Sequence, residues 1–128
     1  MANETLAAWI DLTVPDAARS RAFYADVLGV ATSPLAVGAQ PASYDDYFLH
    51  REEGGPPLAG VCHARGVNEG LPPVWIPYFT VAAVDESFER ALARGAVAVR
   101  APWTCGWGRM AFLRDPDGAV FAIITPAT

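Results

Sequence analysis

From Ala8 to Val14 the chain alternates, with Ile10, Leu12 and Val14 apolar and Trp9, Asp11 and Thr13 set between them. A period of two places these sets on opposite faces of a β-strand, the aliphatic one toward a core. Pro15 ends the strand, and Asp16 is positioned to cap a helix over residues 17–28 that Gly29 terminates. Within it, Phe23 and Val27, and Tyr24 and Leu28, recur at four-residue spacing, which predicts core positions for Phe23 and Tyr24. Residues 31–43, rich in Ala, Pro and Gly, predict a weak strand and a loop; 47–50 and 58–62 predict a hairpin across the Gly/Pro-rich stretch 53–57.

After a polar linker over 66–73 the pattern restarts. Residues 75–81 form a second aromatic-containing strand, and Thr80-Val81 repeats Thr13-Val14. Each pair is followed by an acidic cap, a helix and a glycine: Asp16 to Gly29, then Asp85 to Gly95, with Phe88, Ala91 and Leu92 on one face of the second helix. A short strand over 97–99 precedes a tryptophan-rich loop over 102–108. The chain ends in a hairpin, 110–114 and 119–124, turned by Asp115-Pro116-Asp117-Gly118, where proline fixes φ and glycine supplies positive φ. The reading is one domain of two related halves, residues 6–65 and 74–126.

Composition narrows the function classes. At 128 residues the chain suits a single folding unit, and no stretch reaches the roughly 18 apolar residues of a membrane span. A net charge of -5, with nine arginines scattered singly and no lysine, argues against nucleic acid and leaves room for a cationic ligand. The first residues lack the basic start and apolar stretch of an export signal, so the expected compartment is the cytoplasm, with Cys62 and Cys105 as free thiols.

Phe23-Tyr24 with Leu28-Gly29, the 75–81 strand, Gly95 and Arg114-Asp115-Pro116-Asp117-Gly118 together resemble the vicinal-oxygen-chelate superfamily of glyoxalases, bleomycin-resistance proteins and extradiol dioxygenases. The resemblance implies an α+β fold in which two βαβββ modules curl into a half-barrel around an open cleft, commonly completed by a homodimer. It also implies metal ligands on the first and last strand of each module. Here those positions fall on Trp9, Ile76, Ala122 and approximately Gly60, none of which offers a donor atom, so no metal or other cofactor is expected. A register shift of one would bring in Asp11 or Tyr78, still short of three ligands. Cys62 and His63, adjacent on a strand, point to opposite faces; His50 and His63 read as surface residues.

If the strand faces opposite the core meet a ligand, Trp9, Asp11, Thr13, Ile76, Tyr78 and Thr80 project toward it, joined by Ala111, Leu113, Val120 and Ala122 of the final hairpin. Trp103 and Trp107 would close over the mouth or pack a seam. Arg109 would bind an anionic group or pair with a neighbouring acid. Two readings follow. One is a metal-free protein that binds an aromatic or cationic small molecule. The other is a lyase, isomerase, hydrolase or dioxygenase, either metal-independent through Asp11, Tyr78 or Arg109, or with its ligands at positions other than these. Exposed sheet edges favour a homodimer.

Overall fold

The computed structural model describes residues 5–128; residues 1–4, on which the expectation of a cytoplasmic chain partly rests, lie outside it. The order of elements is β1 (Ala7–Val14), α1 (Ala17–Leu28), β2 (Ala31–Val37), β3 (Tyr44–His50), β4 (Pro57–His63), a short 3-10 turn, β5 (Trp75–Thr80), α2 (Val84–Ala93), β6 (Val97–Cys105), β7 (Gly108–Arg114) and β8 (Val120–Pro126). This is the α+β succession strand, helix, three strands, written twice. The chain divides into two compact units: a first, Ile10–Trp75, and a second, Ile76–Thr128 with residues 5–9. Among the described residues no helix is long and apolar enough to cross a membrane.

In the first unit the strand order is β2-β3-β4-β1, antiparallel except for the parallel pair β4/β1. Helix α1 begins where expected, the Asp16 carboxylate accepting the Arg19 N–H at 3.0 Å, and ends at Gly29 with φ of 65°. Its Ala17 packs against Leu49, Ala59 and Val61, with Val14, Trp75 and its own Tyr24 at the margin. One expectation fails: Phe23 is not core but 57 % exposed, and Val27 and Leu28 are exposed with it. The pairs Phe23/Val27 and Tyr24/Leu28 lie about 100° apart on a helix, and only the side carrying Tyr24 turns inward.

In the second unit the order is β5-β8-β7-β6, again antiparallel except for β5/β8, and Thr80 N–H donates to the Leu6 carbonyl at 2.9 Å. Helix α2 packs its Val84 and Phe88 against Ala111, Leu113 and Ile123. Ala111 and Leu113 therefore belong to the helix side, not to a ligand-facing wall, because in the wholly apolar run 110–113 alternation gives no sign of which face is which. Nor does Asp85 cap α2. The cap is Ala83, with no side-chain bond, and Asp85 sits in the first turn.

The expected tryptophan loop is mostly strand. β6 continues through Pro102 and Trp103 to Cys105, leaving a tight turn at Gly106-Trp107; it pairs only with β7, so proline costs it no ladder bond, and two register shifts absorb the irregularity. Gly108 closes the turn at φ of 138°, where a Cβ would collide with the Thr125 carbonyl. At the other end of the hairpin the Asp115 carboxylate accepts the N–H groups of Asp117 and Ala119 at 2.8 and 3.0 Å, so the turn is held by its own side chain.

Candidate functional site

Each unit has a sheet face turned away from its helix. In the first unit that face carries Asp11, Thr13, Gly60, Cys62, Asp46 and Phe48, with Asp11 opposite Gly60 and Gly60 opposite Phe48 in the ladders. The Cys62 thiol donates to an Asp11 carboxylate oxygen at 4.0 Å. Asp46 is only 5 % exposed, and its carboxylate accepts the His63 backbone N–H at 2.8 Å. Burial raises the Asp46 pKa above the ordinary carboxylate value, against the lowering effects of that bond, His63, Cys62 and Arg65. Burial, reinforced by Asp11 and Asp46, likewise pushes the Cys62 thiol far up, so it stays protonated and weakly nucleophilic.

Both histidines are half-buried and hydrogen-bonded. The Ala17 N–H donates to His63 Nδ1 at 3.3 Å, so His63 closes the start of α1, edge-on to Tyr44. His50 Nδ1 bonds the Gly55 carbonyl, and its Nε2 pairs with the Ser33 hydroxyl, both at 2.7 Å. A carbonyl only accepts, so His50 Nδ1–H donates to Gly55. Cys62 and His63 do point to opposite faces, and both cysteines are free thiols. Among the described residues no three His, Cys, Asp or Glu side chains converge as a metal requires.

The equivalent face of the second unit is aromatic. Tyr78 lies opposite Ala122, and Ala122 opposite Phe112. The Tyr78 ring meets Phe112 edge-on at 5.7 Å, Trp103 tilts against Phe112 at 5.6 Å, and the Arg100 guanidinium lies 4.2 Å over Trp103. Phe112, Ile76, Tyr78 and Ala122 are buried, while Trp103 and Arg100 are half-buried and Trp107 is exposed in its turn. Arg109 leaves this row: its guanidinium clasps Asp85 at 2.7 and 2.8 Å on the α2 side and bonds Thr104 at 3.0 Å. That clasp lowers the Asp85 pKa and raises that of Arg109.

Sequence reasoning missed Asp46, Phe48, Arg100 and Phe112; the repeat could have found Phe48 and Phe112, which each face the last-strand position of their unit, Gly60 and Ala122. A family model described as the glyoxalase/bleomycin resistance protein/dioxygenase superfamily matches residues 6–123. The chain belongs to that superfamily. Trp9 and Ile76 each lie two residues before the strand position that pairs with Gly60 or Ala122, so the ladders relate the four expected metal-ligand positions by one internal repeat. An indole, a bare backbone, a sec-butyl group and a methyl group are not a ligand set, and these residues do not fit the superfamily's metal.

Within the superfamily the chain is similar to the anthracycline biosynthesis proteins DauV of Streptomyces sp. strain C5 and DnrV of Streptomyces peucetius, 32 % identical over 91 % of this chain and 45 % of theirs. A putative glyoxylase of Mycobacterium tuberculosis is 28 % identical over 90 % of this chain and 43 % of its own length. The chain thus spans about half the length of the curated relatives it matches. Among solved structures it shares the fold of a Streptomyces coelicolor methylmalonyl-CoA epimerase (TM-score 0.62, 18 % identity, 97 % of this chain and 96 % of that one). A Mycobacterium tuberculosis methylmalonyl-CoA epimerase is similar in the same way, at TM-score 0.57 and 16 % identity over 100 % of this chain and 94 % of that one.

Proposed function

We propose that this superfamily member binds a small planar aromatic molecule without a metal, against the aromatic sheet face of its second unit. The observation that carries the reading is the donor-free set Trp9, Gly60, Ile76 and Ala122, at the positions where the resemblance implies metal ligands. The ring row Tyr78, Phe112 and Trp103 supports a planar ligand: the buried members fix the half-buried Trp103, and a well-formed aromatic pair is worth about 0.5–1.5 kcal/mol beyond area burial. Two relatives named for anthracycline biosynthesis point to the same class of flat, fused-ring molecule. The net charge of -5 leaves room for a cationic substituent on it.

A thermal-shift screen of planar polycyclic aromatics, with and without amino substituents, tests this. A ligand at 100 times its Kd stabilises the fold by about 2.7 kcal/mol. The expected result is a shift unaffected by EDTA and lost in Trp103→Ala. Binding that needs a stoichiometric divalent metal, or no response to any aromatic, rejects the reading. A metal-independent enzyme acting through Asp11 is the second reading, favoured by the closeness of its carboxylate to the buried thiol of Cys62. Turnover of a bound aromatic that Asp11→Asn abolishes without loss of affinity would select it.

A further inference from the structure

Strand β2 and its neighbour β3 bring a hydroxyl and an imidazole together on the sheet face that carries Asp11. In the ladders Ser33 lies opposite Phe48, Phe48 opposite Gly60 and Gly60 opposite Asp11, so one row runs across the four strands of the first unit. His50, two residues beyond Phe48 on β3, shares its face. Ser33 Oγ stands 2.7 Å from His50 Nε2, and His50 Nδ1–H donates to the Gly55 carbonyl at 2.7 Å. That carbonyl is itself held in place, because the Gly55 N–H donates to the Glu52 carbonyl at 2.9 Å within the turn. With its one ring proton committed to Nδ1, the neutral imidazole turns the Nε2 lone pair toward the Ser33 hydroxyl. Both side chains keep partial contact with solvent, and β2 is the terminal strand of the order β2-β3-β4-β1.

We propose that Ser33 is a nucleophile activated by His50, and that the first unit thereby hydrolyses small activated esters through an acyl-serine. Such a site needs a nucleophile, a base within hydrogen-bond reach and a group that orients the base; Ser33, His50 and the Gly55 carbonyl supply them in that order. As Ser33 Oγ attacks the ester carbonyl carbon, its proton passes to His50 Nε2. The bond from that carbon to the alcohol oxygen breaks, and the departing oxygen takes the proton from Nε2. Water then adds to the acyl-serine and gives a proton to Nε2; the carboxylic acid leaves, and Ser33 Oγ recovers its proton from His50. The sum is ester plus water to acid plus alcohol, with no change of oxidation state. A neutral carbonyl steadies the imidazolium less than a carboxylate would, so the substrates are esters with a good leaving group, aryl esters above all. Phe48, directly across the ladder from Ser33 and edge-on to His50 at 6.3 Å, gives an aryl group a surface to pack on. Cys62, on the same face, meets the Asp11 carboxylate and stays protonated in its buried place, so it does not compete as nucleophile.

Peptide mass spectrometry of the full chain after treatment with a fluorophosphonate, read beside the release of p-nitrophenol from p-nitrophenyl acetate, tests the proposal. The expected result is a phosphonyl adduct on Ser33 and an initial burst of p-nitrophenol approaching about one equivalent of protein. Ser33→Ala should remove both. His50→Gln should slow both by roughly a hundredfold or more while leaving the far-UV circular dichroism unchanged. No adduct on Ser33 of the unaltered chain, or one that forms as fast in His50→Gln, overturns the proposal and leaves the bond between Ser33 and His50 as a tie between β2 and β3. Neither outcome bears on aromatic binding by the second unit.

Discussion

In the first unit the row across β1, β4 and β3 reads Asp11, Gly60, Phe48; in the second the row across β5, β8 and β7 reads Tyr78, Ala122, Phe112. The backbone is the same at each place and the side chains are not. One unit keeps a buried carboxylate and a thiol on its face, at the expense of desolvation that shows in Asp46 and Cys62. The other fills the face with rings that pack on one another. The helices diverge too: α2 buries Val84 and Phe88 and spends Asp85 on Arg109, whereas α1 buries only Ala17 and leaves Phe23 and Val27 in solvent. A duplicated scaffold fixes where side chains stand, and the chemistry at each place is then free to differ.

The largest effect that sharpens this contrast is Phe112→Ala. Phe112 is 1 % exposed, so its truncation should cost about 3–5 kcal/mol in chemical denaturation, whereas Phe48→Ala at the equivalent, half-buried place should cost clearly less. Equal losses would mean that the two faces are packed alike.

Next comes pH. With its folded pKa raised, Asp46 binds a proton more readily in the native than in the unfolded chain. Its contribution to stability is therefore present below the unfolded value near 3.8 and is lost as pH rises through the folded value. Asp46→Asn keeps an acceptor for the His63 N–H while removing the charge. It should raise Tm at neutral pH and leave it nearly unchanged just below pH 4, and a variant less stable at neutral pH would show that the charge is compensated.

A thiol held protonated predicts that iodoacetamide at mildly alkaline pH labels Cys62 only after unfolding, read by peptide mass spectrometry. Rapid native labelling would mean that the first unit's face opens to solvent. The smallest effect belongs to Arg109→Ala, which should leave aromatic-ligand affinity unchanged by calorimetry because its guanidinium serves Asp85 on the α2 side. A weakened ligand would return Arg109 to the site.

The sequence marked α1 to the residue, because Asp16 and Gly29 do their work within one turn of it. It marked the repeat as well, since the glyoxalase-type register depends on spacing alone. It misjudged Phe23 because two four-residue pairs fit a helix equally well, and Ala111 and Leu113 because a wholly apolar strand carries no alternation. It read β6 as a loop because Pro102 and the flanking glycines signal one, although a strand paired on one side only tolerates proline. Asp46 stayed unseen because a carboxylate beside Tyr44 and Asp45 reads as surface until β4 folds back and brings it the His63 N–H.

The self-capped turn at Asp115-Pro116-Asp117-Gly118 also has a kinetic meaning. It joins β7 to β8 by a ladder of seven residue pairs between neighbours in sequence, whereas the parallel pairing of β5 with β8 must first enclose α2, β6 and β7. Closing the short loop loses far less chain entropy, so this hairpin is the natural nucleus for the second unit, and substitutions in its turn should slow refolding more than they speed unfolding.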